Sequence, residues 1–209
     1  MRLSKVVIAG LVAGVLSCAG IVLVVPPFRW MVIKPHYPPG YENLMDAIEN
    51  RSPKRVKEIL DTGVDPNRYP HTEEDYSREV AITPLNYALD KGQVSVVSLL
   101  LNHGADPNMG DQWHGSPLAV ATDSDNVDLL KVLIHAGAKV NEDKNGSSAL
   151  WHAAMSGKEI SVRYLLSQGA LANTKTDGQP SETLLHALRS AGGYPEIERI
   201  LAKHGAKDK

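Results

Sequence analysis

The chain has 209 residues, with 22 basic and 24 acidic side chains and a formal net charge of -2. No acid occurs in the first 41 residues, which hold four basic side chains, so residues 42–209 carry 18 basic and 24 acidic residues and a net charge of -6. An acidic body argues against a nucleic-acid-binding protein, and a single cysteine excludes a disulfide framework and a cysteine-based zinc cluster.

The first element is a run of 20 uncharged, mostly apolar residues, Val6–Val25. As a helix, such a run spans about 30 Å, which is the thickness of the hydrocarbon core of a bilayer. Two basic residues precede the run, and Pro26 and Pro27 end it. The pattern predicts a membrane anchor over residues 1–27.

Cys18 permits a second interpretation of the same segment. Val15-Leu16-Ser17-Cys18 resembles a bacterial lipobox, in which the cysteine is the site of cleavage and lipidation. Leu16 is larger than the residues usual at its position, and the apolar run continues after Cys18 as far as Val25. Both observations favour an intact helix, but the anchor and the lipoprotein both remain open.

Residues 28–41 are a predicted juxtamembrane spacer. Trp30 beside Arg29 and Lys34 is typical of a membrane interface. Three prolines within residues 35–41 oppose a helix and favour extended backbone. An N-terminal anchor of this form predicts a bacterial inner-membrane protein whose C-terminal body lies in the periplasm.

From about Glu42 onward the sequence repeats with a period near 33 residues. Five segments share a Leu-x-x-Ala core, which begins at Leu44, Leu85, Leu118, Leu150 and Leu184. A glycine follows each leucine 19 to 21 residues later, at Gly63, Gly104, Gly137, Gly169 and Gly205. One such unit cannot bury its apolar face alone, so the pattern predicts one stacked domain over residues 42–209.

These units resemble the ankyrin repeat. Thr83-Pro84-Leu85 and Ser116-Pro117-Leu118 match the start of its motif, and Gly104-Ala105-Asp106-Pro107-Asn108 matches its end. The resemblance implies an all-α ankyrin-repeat solenoid of about five helix-turn-helix repeats, preceded by the N-terminal transmembrane or signal helix. Thr83 and Ser116 are predicted N-caps, and the closing glycines suit the left-handed conformation that ends a helix.

Two intervals depart from the period. The first leucine interval is 41 residues, which places about eight additional residues in the connection between repeats one and two, within Arg68–Ile82. The last repeat has a longer leucine-to-glycine spacing, which predicts two additional residues near Gly192–Pro195 between its helices.

The resemblance implies protein binding through the connecting fingers and through the concave face of the first helices. The first finger offers Tyr69, His71, Glu73, Glu74, Asp75, Tyr76 and Arg78, and the second finger offers Asp111, Gln112, Trp113 and His114. The first-helix face offers Asp90, Asp123 and Met155, with Glu49, Lys91 and Arg189 at related positions. Exposed tyrosine and tryptophan are favoured at binding hot spots. Seven acids against two lysines between residues 106 and 143 predict a basic patch on the protein partner.

The sequence contains no recognised catalytic motif or phosphate-binding loop. Its histidines lack the spacing of a metal site. Asp123, Asp125 and Asp128 lack the glycine and glutamate of a calcium-binding loop and suit a turn between helices. We therefore expect a binding protein without enzymatic activity, cofactor or metal.

The combined pattern predicts a membrane-tethered module that neutralises a partner by occupying its surface. In architecture the chain resembles ankyrin-type immunity proteins that protect bacteria against type VI secretion effectors, including lipases and phospholipases. That resemblance implies a cognate toxin as the partner. The alternative is an envelope scaffold or adaptor that organises a periplasmic complex or supports stress defence.

Overall fold

A computed structural model describes residues 40–67, 82–110, 115–144, 147–173, 175–176 and 179–208. The predicted anchor, the lipobox cysteine Cys18 and most of the spacer lie outside these residues. No helix in the part of the chain that the structure describes combines the length and the apolar character needed to cross a membrane.

The described residues form five helix pairs. The first helices are α1 (Tyr41–Glu49), α3 (Pro84–Asp90), α5 (Pro117–Asp123), α7 (Ala149–Met155) and α9 (Leu184–Ser190). The second helices are α2 (Pro53–Leu60), α4 (Val94–Asn102), α6 (Val127–His135), α8 (Glu159–Ser167) and α10 (Pro195–Lys203). Each first helix packs on the next first helix and each second helix on the next second helix, so the predicted helical repeat stack is confirmed.

The repeated leucines lie in the core between the two helix layers. Leu44, Leu85, Leu118 and Leu150 are each at most 2% exposed. Truncation of such a buried leucine to alanine typically costs about 2 to 5 kcal/mol. The motif is therefore a packing motif, and its periodicity reflects the stacking of one repeat on the next.

Hydroxyl side chains cap the first helices of four repeats. The Thr83 hydroxyl accepts a hydrogen bond from the backbone N–H of Asn86 at 3.0 Å, and the Ser116 hydroxyl accepts one from Ala119 at 3.3 Å. The hydroxyls of Ser148 and Thr183 accept in the same way. The two N-caps predicted from the sequence are thus confirmed.

Asparagines at the end of the motif join neighbouring repeats. Asn67 Nδ2 donates to the carbonyl oxygen of Gly104 at 2.7 Å, and Asn67 Oδ1 accepts from the backbone N–H of Asp106 at 2.7 Å. Asn108, Asn141 and Asn173 make the same pair of bonds to the repeat that follows each of them. Gly104 has φ 90°, as predicted for a closing glycine. We call these four residues the asparagine ladder.

Two short antiparallel hairpins occur in the connections on either side of α7 and α8. Strands β1 (Asp143–Lys144) and β2 (Ser147–Ser148) pair Asp143 with Ser148 and Lys144 with Ser147. Strands β3 (Lys175–Thr176) and β4 (Gln179–Thr183) pair Lys175 with Thr183 and Thr176 with Gln179, with an irregularity between the two pairs. The periodicity did not predict these strands, and the second strand of each hairpin ends on the residue that caps α7 or α9.

The register predicted for the last repeat is wrong by one residue. Thr183 caps α9, so Leu185 rather than Leu184 occupies the position of Leu150, and Leu188 occupies the position of the alanine. The Gly193 N–H bonds to Leu188 O in the last repeat. The Lys158 N–H makes the equivalent bond to Ala153 O in the repeat before. One additional residue, not two, therefore lies between the paired helices.

Candidate protein-binding surface

Most of the predicted finger residues lie outside the residues that the structure describes. These are Tyr69, His71, Glu73, Glu74, Asp75, Tyr76 and Arg78 of the first finger and Asp111, Gln112, Trp113 and His114 of the second. Their role in binding stays a prediction. The first-helix candidates lie within the described residues, and the geometry below concerns them.

Four of the first-helix candidates occupy one equivalent position in successive repeats. Glu49, Asp90, Asp123 and Met155 are the last residues of α1, α3, α5 and α7. The three acids are exposed, and Met155 is half-buried. Because consecutive first helices pack side by side, these residues follow one another along the stack. We call them the helix-end row.

Two acids of the helix-end row bond to the next repeat at one related position. The Tyr87 hydroxyl donates a hydrogen bond to Glu49 Oε2. His152 Nδ1 lies 3.5 Å from Asp123 Oδ1. Tyr87 and His152 each stand two residues after the core leucine of their repeat. A helix-end acid therefore contacts the residue at that position in the repeat that follows.

The bond between Glu49 and Tyr87 is reinforced by a cation. Lys91 Nζ lies 3.5 Å from Glu49 Oε2 and 5.1 Å from the centre of the Tyr87 ring. Burial and the hydrogen bond to Glu49 raise the pKa of Tyr87 to about 12, so the phenol keeps its proton at neutral pH. The same hydrogen bond, and then Lys91, lower the pKa of Glu49. Repeats one and two are thus joined by a carboxylate with two donors.

Repeats three and four are joined through an imidazole. The Thr122 hydroxyl donates to Ala119 O at 2.7 Å, so its oxygen is left to accept from His152 Nδ1 at 3.1 Å. This bond assigns the proton to Nδ1 in the neutral ring, and the same nitrogen faces Asp123. The carboxylate of Asp123 remains largely exposed, with 59% of its side-chain surface accessible.

Asp90 differs from the other two acids in the row. In the repeat that follows Asp90, the position two residues after the core leucine is occupied by Val120, which is buried and apolar. In the other two cases this position is occupied by Tyr87 or His152. Within the described part of the chain, Asp90 has no ion pair. Among the described residues, no cation is paired with this carboxylate on the first-helix face.

Arg189 does not belong to the helix-end row, because the register of the last repeat differs from the prediction. Ser190 ends α9, and Arg189 stands one residue earlier. Its guanidinium Nε donates to Glu198 Oε2 at 3.2 Å, and Nη1 pairs with Asp208. Arg189 thus holds the last residues of the stack against α9 and is engaged within its own repeat.

The sequence pattern did not identify three further residues of the first-helix surface, Trp151, Tyr87 and His152. All three are half-buried, and Trp151 packs against the core. The signal that identifies Tyr87 and His152 is their shared spacing of two residues from the core leucine. Trp151 and Met155 give the first helix of the fourth repeat an aromatic and apolar surface, whereas the first helices of the first three repeats end in acids.

The described residues contain no group of three or more histidine, cysteine, aspartate or glutamate side chains arranged to hold a metal ion. The helix-end acids lie on separate helices, and two of them, Glu49 and Asp123, contact the neighbouring repeat. This arrangement suits recognition of a macromolecular surface through dispersed charges.

Comparison with known proteins gives the same repeats. The family model described as "Ankyrin repeats (3 copies)" matches residues 44–144 and 123–209, more than three quarters of the chain. Ankyrin repeat and SOCS box protein 6 of Homo sapiens is 34% identical over 147 residues, which cover 59% of this chain and 35% of that protein. The B-cell lymphoma 3 protein homolog of Mus musculus is 32% identical over 131 residues, 62% of this chain and 28% of that protein.

A channel protein shows a similar match. Transient receptor potential cation channel subfamily A member 1 of Homo sapiens is 34% identical over 102 residues, 48% of this chain and 9% of the channel. The chain therefore spans between 9 and 35% of the length of these three relatives.

Proposed function

The chain belongs to the ankyrin-repeat family of protein–protein interaction modules, and from that premise we propose that it is a membrane-tethered binding protein that neutralises a cognate secreted toxin. The toxin class we propose is a type VI lipase or phospholipase effector. The mechanism is stoichiometric occlusion: a rigid repeat surface covers a functional surface of the toxin. No chemical step on the part of this chain is required.

The carboxylate of Asp90, which has no ion pair within the described part of the chain, is the observation that carries the proposal of a charged binding face. Tyr87 donates to Glu49 and His152 lies 3.5 Å from Asp123, whereas the buried Val120 gives Asp90 no such polar neighbour among the described residues. A basic patch on the partner would contact the acidic end of the helix-end row. Complementary charge of this kind accelerates association and selects the partner.

Tethering is supported by the 20-residue apolar run Val6–Val25. The repeats would then face the periplasm, held either by the intact helix or by lipid on Cys18. A toxin that attacks membrane lipids acts at the membrane surface. An inhibitor fixed there meets the toxin at its substrate.

A competition assay tests the proposed function. A strain lacking this chain, exposed to sibling attackers that carry the effector, is expected to lose viability, and plasmid expression of the chain should restore it. Affinity purification from the restored strain should recover the effector in a one-to-one complex. Unchanged survival together with no recovered toxin would overturn the proposal, and many weak partners would favour the scaffold alternative.

A charge reversal tests the first-helix face. Asp90→Lys is expected to weaken the complex about tenfold or more at low salt, because it places a cation opposite the basic patch of the partner. Asp128→Lys is the matched control, since Asp128 is an exposed aspartate of the second-helix layer. Calorimetric titration of both variants gives the affinities, and equal losses would argue against the helix-end row as the binding face.

A second pair of substitutions tests the fingers. Trp113→Ala combined with Tyr76→Ala should weaken the complex about tenfold or more while leaving the far-UV circular dichroism spectrum unchanged, because large aromatic side chains commonly dominate interfaces. Ile160→Ala, at an exposed position on α8, is the control and should leave the affinity unchanged. An unaltered affinity of the double variant would refute the finger contribution.

A further inference from the structure

The turn and second helix of the first repeat carry a cluster of exposed cations. Arg51, Lys54, Arg55 and Lys57 lie within seven residues that contain no acid, and all four are exposed. We call them the repeat-one basic face. It is a local exception, because residues 42–209 as a whole carry a net charge of -6.

Two of these cations, Arg51 and Lys54, form no ion pair within the described residues. Arg55 pairs with Glu58 at 3.1 Å and Lys57 pairs with Asp61 at 2.6 Å, each along one side of α2. Arg51 Nη2 donates to the carbonyl oxygen of Lys91 at 3.0 Å, and its charge also lowers the pKa of Glu49 without an ion pair among the described residues. Lys54 has no ion pair within the described residues. The segment from Arg51 to Asp61 therefore keeps a net charge of +2.

Helix stability does not account for the position of Lys54 and Arg55 at the start of α2. A helix N-terminus carries a partial positive charge, so acids are favourable in its first turn and cations are unfavourable. Asp128 in α6, Glu159 in α8 and Glu196 in α10 follow this preference. The first turn of α2 reverses it, with Lys54 and Arg55 and no acid. The reversal gives this end of the stack a positive potential that the fold itself does not need.

The place of this face in the chain identifies what it meets. The predicted anchor ends at Pro27, and only residues 28–39 separate it from the first described residue, Gly40. Twelve extended residues reach about 40 Å at most. The first repeat is therefore the one nearest to the predicted anchor along the chain, and each later repeat follows the anchor by a longer stretch of chain.

We propose that the repeat-one basic face docks on the anionic headgroups of the membrane that holds the anchor, an inference that rests on the tethering in the proposed function. Basic side chains close to an anionic bilayer are attracted to it, and the attraction decays within a Debye length. The same surface repels the acidic helix-end row. Attraction at α2 and repulsion at Asp90 and Asp123 together hold the first-helix face away from lipid and open to a protein partner.

Amine-reactive footprinting of the full chain tests the docking. The protein is reconstituted in vesicles of phosphatidylcholine alone or with phosphatidylglycerol, labelled briefly with an N-hydroxysuccinimide ester, and analysed by mass spectrometry. Labelling of Lys54 and Lys57 should fall about threefold or more in the anionic vesicles, and about 1 M salt should restore it by shortening the Debye length to about 3 Å. The exposed Lys131 and Lys203 are internal controls and should label equally in both.

Two double charge-reversal variants test whether the protection of Lys57 depends on the repeat-one basic face. In Lys54→Glu/Arg55→Glu, labelling of Lys57 should no longer depend on phosphatidylglycerol. In Lys131→Glu/Lys203→Glu, which changes the total charge equally, the dependence of Lys57 should remain. Equal labelling of Lys54 in the two vesicle types would overturn the proposal, and so would protection of Lys54 by added RNA in neutral vesicles, which would assign the face to a nucleic acid.

Alkaline carbonate extraction separates this inference from the tether. If the chain resists extraction and Lys54 is nevertheless unprotected, docking is wrong and tethering stands. If carbonate releases the chain, tethering fails, and docking as proposed fails with it. Inhibition of the toxin is measured in a separate assay from docking and tethering.

Discussion

The carboxylate of Asp125 caps a helix in the following repeat. Its Oδ1 atom accepts a hydrogen bond from the backbone N–H of Ser161 at 2.8 Å and another from the Ser161 hydroxyl at 2.7 Å. Ser161 lies in the first turn of α8, and Lys158, the residue that precedes α8, provides no side-chain cap. An anion at a helix N-terminus satisfies free N–H groups and opposes the positive end of the dipole. One repeat thus completes the helix of the next.

Removal of this carboxylate should destabilise the stack even when the substitution relieves backbone strain at Asp125. Asp125 has φ 51°, a region that glycine adopts without strain. Asp125→Gly nevertheless loses both bonds, and we expect the free energy of unfolding to fall by about 1 to 2 kcal/mol in urea titrations. Asp125→Asn keeps an acceptor oxygen and should lose less. The control Asp90→Ala should change stability by no more than about 0.5 kcal/mol. A glycine variant as stable as the wild type would contradict the capping role.

The asparagine ladder should contribute stability at each repeat boundary. Asn108→Ala removes a donor to Gly137 O and an acceptor for the Lys139 N–H, at 3.2 and 2.8 Å. The expected loss is about 1 to 2 kcal/mol, since each net hydrogen bond contributes about 0.5 to 1.5 kcal/mol. Asn102→Ala is the control, because Asn102 is an exposed asparagine at the end of α4 without a ladder bond. Equal effects of the two substitutions in denaturant titrations would refute the ladder contribution.

Gly157 has a left-handed backbone and lies against the ring of a neighbouring side chain. It has φ 71°, and a Cβ at this position would overlap the ring of Tyr194 in the next repeat. Gly92 has φ 66° and open space around the equivalent position. Gly157→Ala should therefore destabilise the protein clearly more than Gly92→Ala, which reports only left-handed strain of about 1 kcal/mol. A double-mutant cycle with Tyr194→Ala should recover part of the difference, and additivity of the two changes would show that the overlap is absent.

The pair formed by His103 and Asp61 should make the joint between repeats one and two sensitive to pH. His103 Nδ1 donates to Leu99 O at 2.8 Å, so Nε2 can donate to Asp61 Oδ1 at 3.1 Å only when the ring is protonated. The bond to the Leu99 carbonyl, and then the bond to Asp61, raise the pKa of His103, while Lys57 opposes the rise. A raised folded-state pKa means that the stabilisation is fully present below the unfolded-state pKa, about 6.5, and disappears as pH rises through the folded-state pKa.

The predicted loss of stabilisation with rising pH can be checked by urea unfolding between pH 5.5 and 8.5. The stability advantage of the wild type over His103→Gln should be largest at the acid end and should shrink toward the alkaline end. His204→Gln is the control, because His204 makes the same 2.8 Å contact with a carbonyl, that of Ile200, and has no acid partner within the described residues. An advantage over His103→Gln that grows with pH would contradict the ionic bridge.

The repeat architecture was predictable because its signals are local and recur. Thr83 as a cap, Leu85 in the core and Gly104 at the helix end each reappear near 33-residue intervals. The last repeat was misaligned because Leu184 and Ala187 imitate the core spacing that belongs to Leu185 and Leu188. The spacing of Thr183 to Leu185, equal to that of Thr83 to Leu85, is the signal that identifies the correct register.

The sequence predicted where the acids of the first-helix surface lie, but not which of them contact the neighbouring repeat. Counting from the core leucine located Glu49, Asp90 and Asp123 at the ends of successive first helices. Which of these acids is already paired depends on a residue in the next repeat, Tyr87 in one case and Val120 in another. Glu49 and Tyr87 are 38 residues apart, and Asp123 and His152 are 29 apart, so the sequence of one repeat alone does not reveal these contacts.

The asparagine ladder also governs how the array would respond to force. Its bonds lie in series, one set at each boundary between repeats. A load applied between the first and the last repeat passes through every boundary in turn, so the array extends by opening at its weakest boundary rather than by yielding uniformly. Each opened repeat of about 33 residues releases roughly 12 nm of chain at full extension. The stack would therefore act as a stepwise extensible link between a fixed point and whatever it grips.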